Sequence, residues 1–343
     1  MTNRDAIYRP GDFYWVLLCK PSSLTKNTAY AIIYLMNHKV TVVGAGNVGA
    51  QCAYRLAQKE AAEVVLIDVV VGLPQGKALD MSQTGAVDGF NSIITGTNDY
   101  ADTRDSSVVV ITAGLARKPG MSRDDLIHKN AEIMKSVIDN IAKYSQNSIL
   151  LIVTNPLDVM TYYAMKVAGF PKNRVLGMAP LLDAARMQYF IAQALKVSVK
   201  DVYAEVLGSH GDLMVPVPRL STVKGKPLTE FMTPEQIKYA VDKTVNGGAE
   251  IVGLLKTGSA YYAPGSAAAR MAEAIVKDKK EIINTCCYLN GEYGLKDVYM
   301  GVPARLGRGG VEEIVELKLT DEEMKGLQAS ARAVRELCEK LPL

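Results

Sequence analysis

Two short motifs carry side chains that can move protons or bind carboxylates. His210 lies in Gly-Ser-His-Gly-Asp, and an imidazole titrates near neutral pH, so it can both take and return a proton. Asp183 and Arg186 lie three residues apart, which places both side chains on one face of a helix. A buried guanidinium forms two parallel hydrogen bonds with a planar carboxylate. Taken singly, such a histidine or such an ion pair is more often structural, so their meaning depends on what surrounds them.

A glycine-rich turn is the second source of chemistry. Asp68 ends the apolar run that follows this turn, which itself consists of Gly44, Ala45, Gly46, Asn47, Val48 and Gly49. Glycines let the backbone approach a diphosphate at a helix N-terminus, and a carboxylate accepts hydrogen bonds from ribose hydroxyls. Because a carboxylate repels a 2′-phosphate, Asp68 favours NAD over NADP. The alternative is a tight strand-to-helix turn that binds nothing.

The elements that position these motifs follow a repeated pattern from residue 38 onward. Apolar runs rich in β-branched residues alternate with helical stretches, which is typical of a parallel sheet covered on both faces. The runs span residues 40–43, 64–67, 108–112 and 149–153. Since ligands bind at the carboxyl ends of parallel strands, the motifs that end these runs should line one cleft. We predict an α/β fold with a Rossmann-type doubly wound parallel sheet.

Ser122 and Asp125 predict the capped start of a helix beside the cleft.

The pattern changes after residue 178 and favours an α+β unit. Further along we expect a strand over 202–207, a hairpin over 224–227, paired strands near 282–289 and 298–304, and a charged helix over 321–340. The predicted domains are an N-terminal appendage over 1–37, an NAD-binding Rossmann domain over 38–178 and an α+β catalytic domain over 179–343.

Charge and cysteine content exclude several classes of protein. The 39 Lys and Arg are interspersed with 36 Asp and Glu, leaving a net charge of +3, so neither nucleic acid nor a membrane surface is a predicted partner. Five cysteines without a CxxC motif and three histidines suggest neither a disulfide framework nor a metal site. The apolar runs within residues 1–37 are too short to span a bilayer. We expect a cytoplasmic enzyme, with a weak export or transit signal as the alternative.

From residue 38 to 343 the chain resembles the lactate/malate dehydrogenase family, and within it the malate dehydrogenases built like lactate dehydrogenases. The resemblance rests on six motifs in the family's order, which are GAGNVG, LID, ARKPGMSR, VTNPLD, LDAAR and GSHGD. It implies reversible hydride transfer between NAD and a small 2-hydroxy acid, and a homodimer or homotetramer.

The resemblance also implies roles for individual residues. Asp183 would orient His210, the general acid/base, while Arg186 would bind the substrate's 1-carboxylate. Arg123 would polarise the substrate carbonyl. Arg117 would pair with a second carboxylate where relatives that use lactate have Gln, and this favours malate and oxaloacetate as substrates. An enzyme for lactate or another 2-hydroxy acid, and an inactive NAD-binding paralogue, are the alternatives.

The remaining expected contacts come from two segments. Asn155 would hydrogen-bond to the substrate oxygen and contact the cofactor, Val153 and Thr154 would line the nicotinamide ribose, and Asn130 would touch the cofactor. Three positions depart from the family pattern. Val71 stands where an acidic residue is common in the family, Ala116 replaces a frequent Pro, and Pro180 replaces a Gly. Proline is tolerated in the first turn of a helix, so Pro180 need not break the helix that carries Asp183 and Arg186.

Overall fold

The computed structural model describes residues 38–115 and 122–343. The predicted appendage 1–37, Arg117 and Ala116 lie outside these ranges, and Arg123 is described only as the first residue of a helix. The predicted boundary between residues 178 and 179 stays a prediction.

A parallel sheet forms the first half of the described chain, as predicted. Its strand order is β3-β2-β1-β4-β5-β6, in which β1 pairs in parallel with both β2 and β4. These strands are β1 (Lys39–Val43), β2 (Glu63–Ile67), β3 (Ile94–Thr97), β4 (Val108–Ile111), β5 (Ile149–Ile152) and β6 (Val175–Gly177). The sequence reading did not identify β3 and β6, both of which are short.

The same sheet continues without a break into antiparallel strands from the second half. Gly177 in β6 pairs with Cys286, and the strand order then runs β12-β13-β8-β9, with β14 on β13. A separate small sheet has the order β11-β10-β7. The strands are β7 (Val202–Tyr203), β8 (Val206–Gly208), β9 (Met214–Pro216), β10 (Thr222–Val223), β11 (Lys226–Pro227), β12 (Glu281–Asn290), β13 (Lys296–Gly307) and β14 (Gly310–Ile314).

Helices cover both faces of the large sheet because alternate strand residues point to opposite sides. Val110 belongs to one hydrophobic core, while its neighbours Val109 and Ile111 belong to the other. The helices are α1 (Asn47–Gln58), α2 (Leu73–Asp88), α3 (Arg123–Tyr144), α4 (Leu157–Ala168), α5 (Ala179–Leu195), α6 (Pro234–Leu255), α7 (Tyr262–Val276) and α8 (Asp321–Cys338). No helix within the described residues is both long and apolar enough to cross a bilayer.

Local predictions of capping and turns are confirmed. Ser122 and Asp125 form the reciprocal capping box of α3, with N···O distances of 3.0 and 3.1 Å. The hairpin of β10 and β11 turns through Lys224 and Gly225, whose φ angles of 49° and 76° are those of a tight two-residue turn. Pro180 lies in the first turn of α5 and leaves the helix unbroken.

The prediction of one strand over residues 202–207 is wrong. The chain leaves the small sheet after Tyr203 and enters the large sheet at Val206. Between them the Glu205 side chain is buried, and its backbone N–H donates to Ser221 Oγ. A mostly apolar sequence indicates that a segment is buried, but it does not show that the first and second halves of the segment pair with different sheets.

A buried ionic cluster ties α1, which begins at the glycine-rich turn, to α7. Glu273 in α7 is 9% exposed and its carboxylate lies 2.6 Å from Lys59 Nζ, 3.4 Å from Lys277 Nζ and 2.8 Å from Lys279 Nζ. Burial raises the pKa of Glu273, but the hydrogen bonds and charges of the lysines outweigh it and lower the pKa to about 2. The carboxylate is therefore ionised wherever the protein is folded and active.

We expect Glu273→Gln to lower the free energy of unfolding at pH 7 by about 2 kcal/mol. This figure lies between the costs of breaking an exposed and a buried ion pair. Because the folded-state pKa is lowered, this stabilisation is present above the ordinary pKa and is lost as the pH falls towards 2. Urea denaturation between pH 7 and pH 3.5 should show that the difference in free energy of unfolding between variant and wild type becomes smaller as the pH falls. Asp242→Asn, which removes an exposed pair with Lys238, is the control and should change little.

Candidate active site

The glycine-rich turn between β1 and α1 is held closely against the end of β4. A Cβ on Gly49 would lie 1.9 Å from the Gly44 carbonyl oxygen, and one on Gly44 would lie 2.7 Å from Thr112 Oγ1. Gly44 also has a φ of 101°, which favours glycine. Gly46 differs from both, since a Cβ there would meet nothing within 4 Å. The turn is therefore packed on its inner side and open at Gly46.

Asp68 lies beside this turn at the carboxyl end of β2. Its Oδ2 accepts from the Ala45 backbone N–H at 2.6 Å and its Oδ1 from the Val70 N–H at 3.0 Å. Lys77 Nζ donates to the Ala45 carbonyl at 2.7 Å and anchors the turn from α2. Gly44, Gly46 and Asp68 line a cleft of about 660 Å³ with Tyr100 and residues 112–115.

These features fit a dinucleotide. The open face at Gly46 lies at the N-terminus of α1, where backbone N–H groups favour a diphosphate. The Asp68 carboxylate is half-buried and keeps acceptor capacity for ribose hydroxyls beyond its two backbone bonds. Of the other predicted cofactor contacts in the turn, Asn47 is exposed, Val48 is half-buried and Ala45 is buried.

The segment after β5 brings three predicted residues to the same edge of the sheet. Val153 and Asn155 line a second cavity, while Thr154 is buried and donates to the Ala113 carbonyl at 2.7 Å. Asn130 is fully buried in α3, and its amide NH₂ donates to the carbonyl oxygens of Asn155 at 2.7 Å and Leu115 at 3.2 Å. The structure therefore places Asn130 beneath the surface, where it holds neighbouring backbone in position.

His210, Asp183 and Arg186 form one hydrogen-bonded group. Asp183, which is 2% exposed, accepts from Arg186 Nη1 through Oδ1 at 3.1 Å, and its Oδ2 lies 2.8 Å from His210 Nδ1. The helix α5 presents both of its residues on one face, as their spacing predicts. With Nδ1 bonded to the carboxylate, Nε2 is the ring atom of His210 that could exchange a proton with a bound molecule.

Charge around His210 changes the proton affinity of its ring. Burial lowers the pKa of His210, but the charge and hydrogen bond of Asp183, together with the charge of Asp158, outweigh burial and the nearby Arg186. The net result is a pKa above the ordinary value for histidine. The protonated form of the ring is therefore more stable than in an ordinary histidine.

His210 and Arg186 face a cavity of about 250 Å³ at the carboxyl end of the parallel sheet. Val48 and Asn155 line it from the first half of the chain. Sequence reasoning missed the remaining lining residues, which are Met178, Ala179, Leu182, Gly248, Val252, Ser259, Ala260 and Pro264. A Cβ on Gly248 would lie 3.4 Å from an Arg186 guanidinium nitrogen. The two adjacent glycines in α6, Gly247 and Gly248, were therefore the sequence signal that the Arg186 side chain packs against this helix.

Arg123 is the first residue of α3. The predicted role of Arg117 falls outside the described residues. Among those residues, no group of three or more His, Cys, Asp or Glu side chains is arranged to hold a metal ion.

The doubly wound sheet and its glycine-rich turn define the class of dinucleotide-binding proteins. Two family models match the chain. The lactate/malate dehydrogenase NAD binding domain covers residues 38–177, and the lactate/malate dehydrogenase alpha/beta C-terminal domain covers residues 181–341.

Similar proteins extend the match to nearly their whole length. The malate dehydrogenases of Methanosarcina mazei and a Roseiflexus species are both 54% identical, over 89% and 87% of this chain and 99% and 97% of theirs. The solved malate dehydrogenase of Salinibacter ruber has a TM-score of 0.85 at 50% identity, covering 88% of this chain and 97% of that one. A Cryptosporidium parvum lactate dehydrogenase has a TM-score of 0.85 at 43% identity, with the same coverage.

The chain belongs to the lactate/malate dehydrogenase family. It is an oxidoreductase that uses NAD, which confirms the predicted fold class and cofactor.

We expect two glycine substitutions in the turn to separate folding from cofactor binding. Gly49→Ala should destabilise the enzyme by about 2 kcal/mol or more, because its methyl group meets the Gly44 carbonyl. Gly46→Ala should keep the wild-type melting temperature, since φ at this position is −67° and space is open. Its methyl group would occupy the cofactor side, so the Kd for NADH should rise about tenfold or more, corresponding to about 1.4 kcal/mol.

Thermal denaturation and NADH fluorescence titration measure the two effects. Wild-type NADH affinity in Gly46→Ala would contradict the placement of the diphosphate at this turn.

Proposed function

We propose that this enzyme interconverts malate and oxaloacetate, with His210 as the general acid/base. The observation that carries the proposal is the bonded group of His210, Asp183 and Arg186 facing a cavity that Val48 and Asn155 line from the NAD-binding half. The malate dehydrogenases to which the chain is similar support the choice of substrate. A steady-state panel of oxaloacetate, pyruvate and other 2-oxo acids with NADH tests it.

Binding comes first in the proposed mechanism. The Arg186 guanidinium holds the 1-carboxylate of malate, and its own bond to Asp183 fixes its orientation. Arg117 pairs with the second carboxylate, and Arg123 polarises the carbonyl oxygen that forms. Asn155 donates to the same substrate oxygen from the end of β5. These contacts place the 2-hydroxyl group beside His210 Nε2.

Proton transfer follows. His210 Nε2 takes the hydroxyl proton of malate, and Asp183 stabilises the imidazolium ion that results. The turn at Gly46 and the Asp68 carboxylate would hold NAD, which would supply the acceptor for the hydride of the substrate carbon. In the reverse direction the imidazolium returns its proton to the oxygen of oxaloacetate. Asn130 keeps Asn155 in place through its bond to the Asn155 carbonyl.

The oligomeric state and the cellular location of the enzyme are part of the proposal. An apolar groove of about 630 Å³ between α5 and α6, lined by Tyr189, Phe190, Tyr239 and Leu254, supports a homodimer or homotetramer. Free cysteines at positions 52, 286, 287 and 338 support a reducing cytoplasm.

We expect Arg117→Gln to reduce oxaloacetate turnover and to raise the relative use of pyruvate. A substrate carboxylate left unpaired in a closed site costs about 3 kcal/mol, which is about a hundredfold in kcat/KM. Steady-state assays with both substrates measure the ratio. If the ratio of oxaloacetate to pyruvate turnover is unchanged, another group recognises the second carboxylate.

We expect malate oxidation to rise with pH through the raised pKa of His210, because oxidation needs the neutral ring. Oxaloacetate reduction should fall as the pH rises through the same group, because reduction needs the protonated ring. His210→Asn should abolish both dependences and lower turnover by about a hundredfold to ten-thousandfold.

NADH affinity in this variant should change little, since the turn at Gly46 is intact. Substantial turnover with the wild-type pH profile would assign the proton transfer to another group.

A further inference from the structure

A second carboxylate lies beneath the loop that carries His210. Asp158 is the second residue of α4, is 4% exposed, and accepts the backbone N–H of His210 at 2.9 Å through Oδ2. This bond connects the NAD-binding half of the chain to the loop after β8. It fixes the peptide of the very residue that exchanges the proton.

The other side-chain hydrogen bond that Asp158 accepts comes from a neutral group. Its Oδ1 accepts from the thiol of Cys286 in β12 at 3.3 Å. In the part of the chain that the structure describes, no Lys or Arg forms an ion pair with Asp158. Burial raises the pKa of Asp158 to about 6, against the opposing effects of the His210 N–H and the His210 charge. The carboxylate is thus ionised at neutral pH.

A buried charge of this kind is costly, and a neutral acceptor could hold the same backbone N–H. The charge therefore calls for an electrostatic explanation. Among the described residues, the charged and titratable groups around His210 and Asp158 are Asp183 and Arg186 from α5, Asp158 from α4, Cys286 from β12 and Cys338 from α8. The charge and hydrogen bond of Asp183 raise the pKa of His210 most, and the charge of Asp158 adds to that effect against the opposing charge of Arg186.

We propose that Asp158 is a positioning residue for His210, which holds the His210 backbone N–H and stabilises the protonated ring through its negative charge. The proposal rests on the proposed function, in which His210 is the general acid/base. It adds a residue from the NAD-binding half that sets the pH range of the chemistry without touching the substrate.

The test is Asp158→Asn, which keeps the size of the side chain and an oxygen acceptor for the His210 N–H but removes the charge. We expect the apparent pKa of His210 to fall by about one pH unit. Both pH profiles should move to lower pH, and oxaloacetate reduction above that range should fall about tenfold. Histidine NMR titration of the full chain reads the same pKa directly, since the chain has three histidines and His210→Asn identifies the resonance.

Ser330→Ala is the matched control for a merely structural role. Ser330 in α8 accepts the Ser209 N–H at 2.8 Å and donates to Ser209 Oγ at 2.8 Å, so it anchors the same loop without carrying charge. We expect this variant to lower kcat at most, with its pH profile unmoved. Asp158→Ser is a second neutral variant for the case that Asp158→Asn does not fold, and it should lower the pKa of His210 in the same direction.

An unmoved pKa of His210 in a folded neutral variant, or an equal shift in Ser330→Ala, would overturn the proposal for Asp158. Those results would leave the proposed function standing as long as His210→Asn is inactive. An active His210→Asn enzyme would instead overturn the proposed function itself.

Discussion

The buried carboxylate of Asp183 is the interaction on which the chemistry of the site depends. It bonds to Arg186 at 3.1 Å and to His210 Nδ1 at 2.8 Å while only 2% exposed. Without it, a permanent cation and a ring that must become cationic would face each other in a small cavity and repel. With it, each is oriented by the same anion. In the proposed function, this one charge therefore arranges both substrate recognition and proton exchange.

This group works only because the two halves of the chain meet closely. At the seam in the large sheet, a Cβ on Gly177 would lie 2.9 Å from the Cβ of Cys286, and one on Gly301 would lie 2.7 Å from Pro180 Cγ. Bare backbone at these two positions lets β6, β12 and the start of α5 pack together. The helix that carries Asp183 and Arg186 thereby begins directly at the end of the strand that closes the parallel sheet.

Features that depend on residues close together in the sequence could be predicted from the sequence. The parallel strands, the capping box of Ser122 and the glycine-rich turn all depend on short segments, and the structure agrees with them. The pairing of His210 with Asp183 required the family resemblance. Asp158 ends the VTNPLD motif, but its contact with His210 could not be predicted because the bond joins residues 52 positions apart. The division of residues 202–207 between two sheets was missed for the same reason, since tertiary packing decides it.

The contact between Ser330 and Ser209 has a consequence for the order in which the enzyme becomes competent during synthesis. The loop that carries His210 is translated early, but its anchor in α8 lies 121 residues further along. The hydrogen bonds to Ser330 form only after residue 330 has left the ribosomal exit tunnel, so the loop that carries His210 lacks this anchor until nearly the whole chain has been made. The candidate site is therefore completed only late in synthesis.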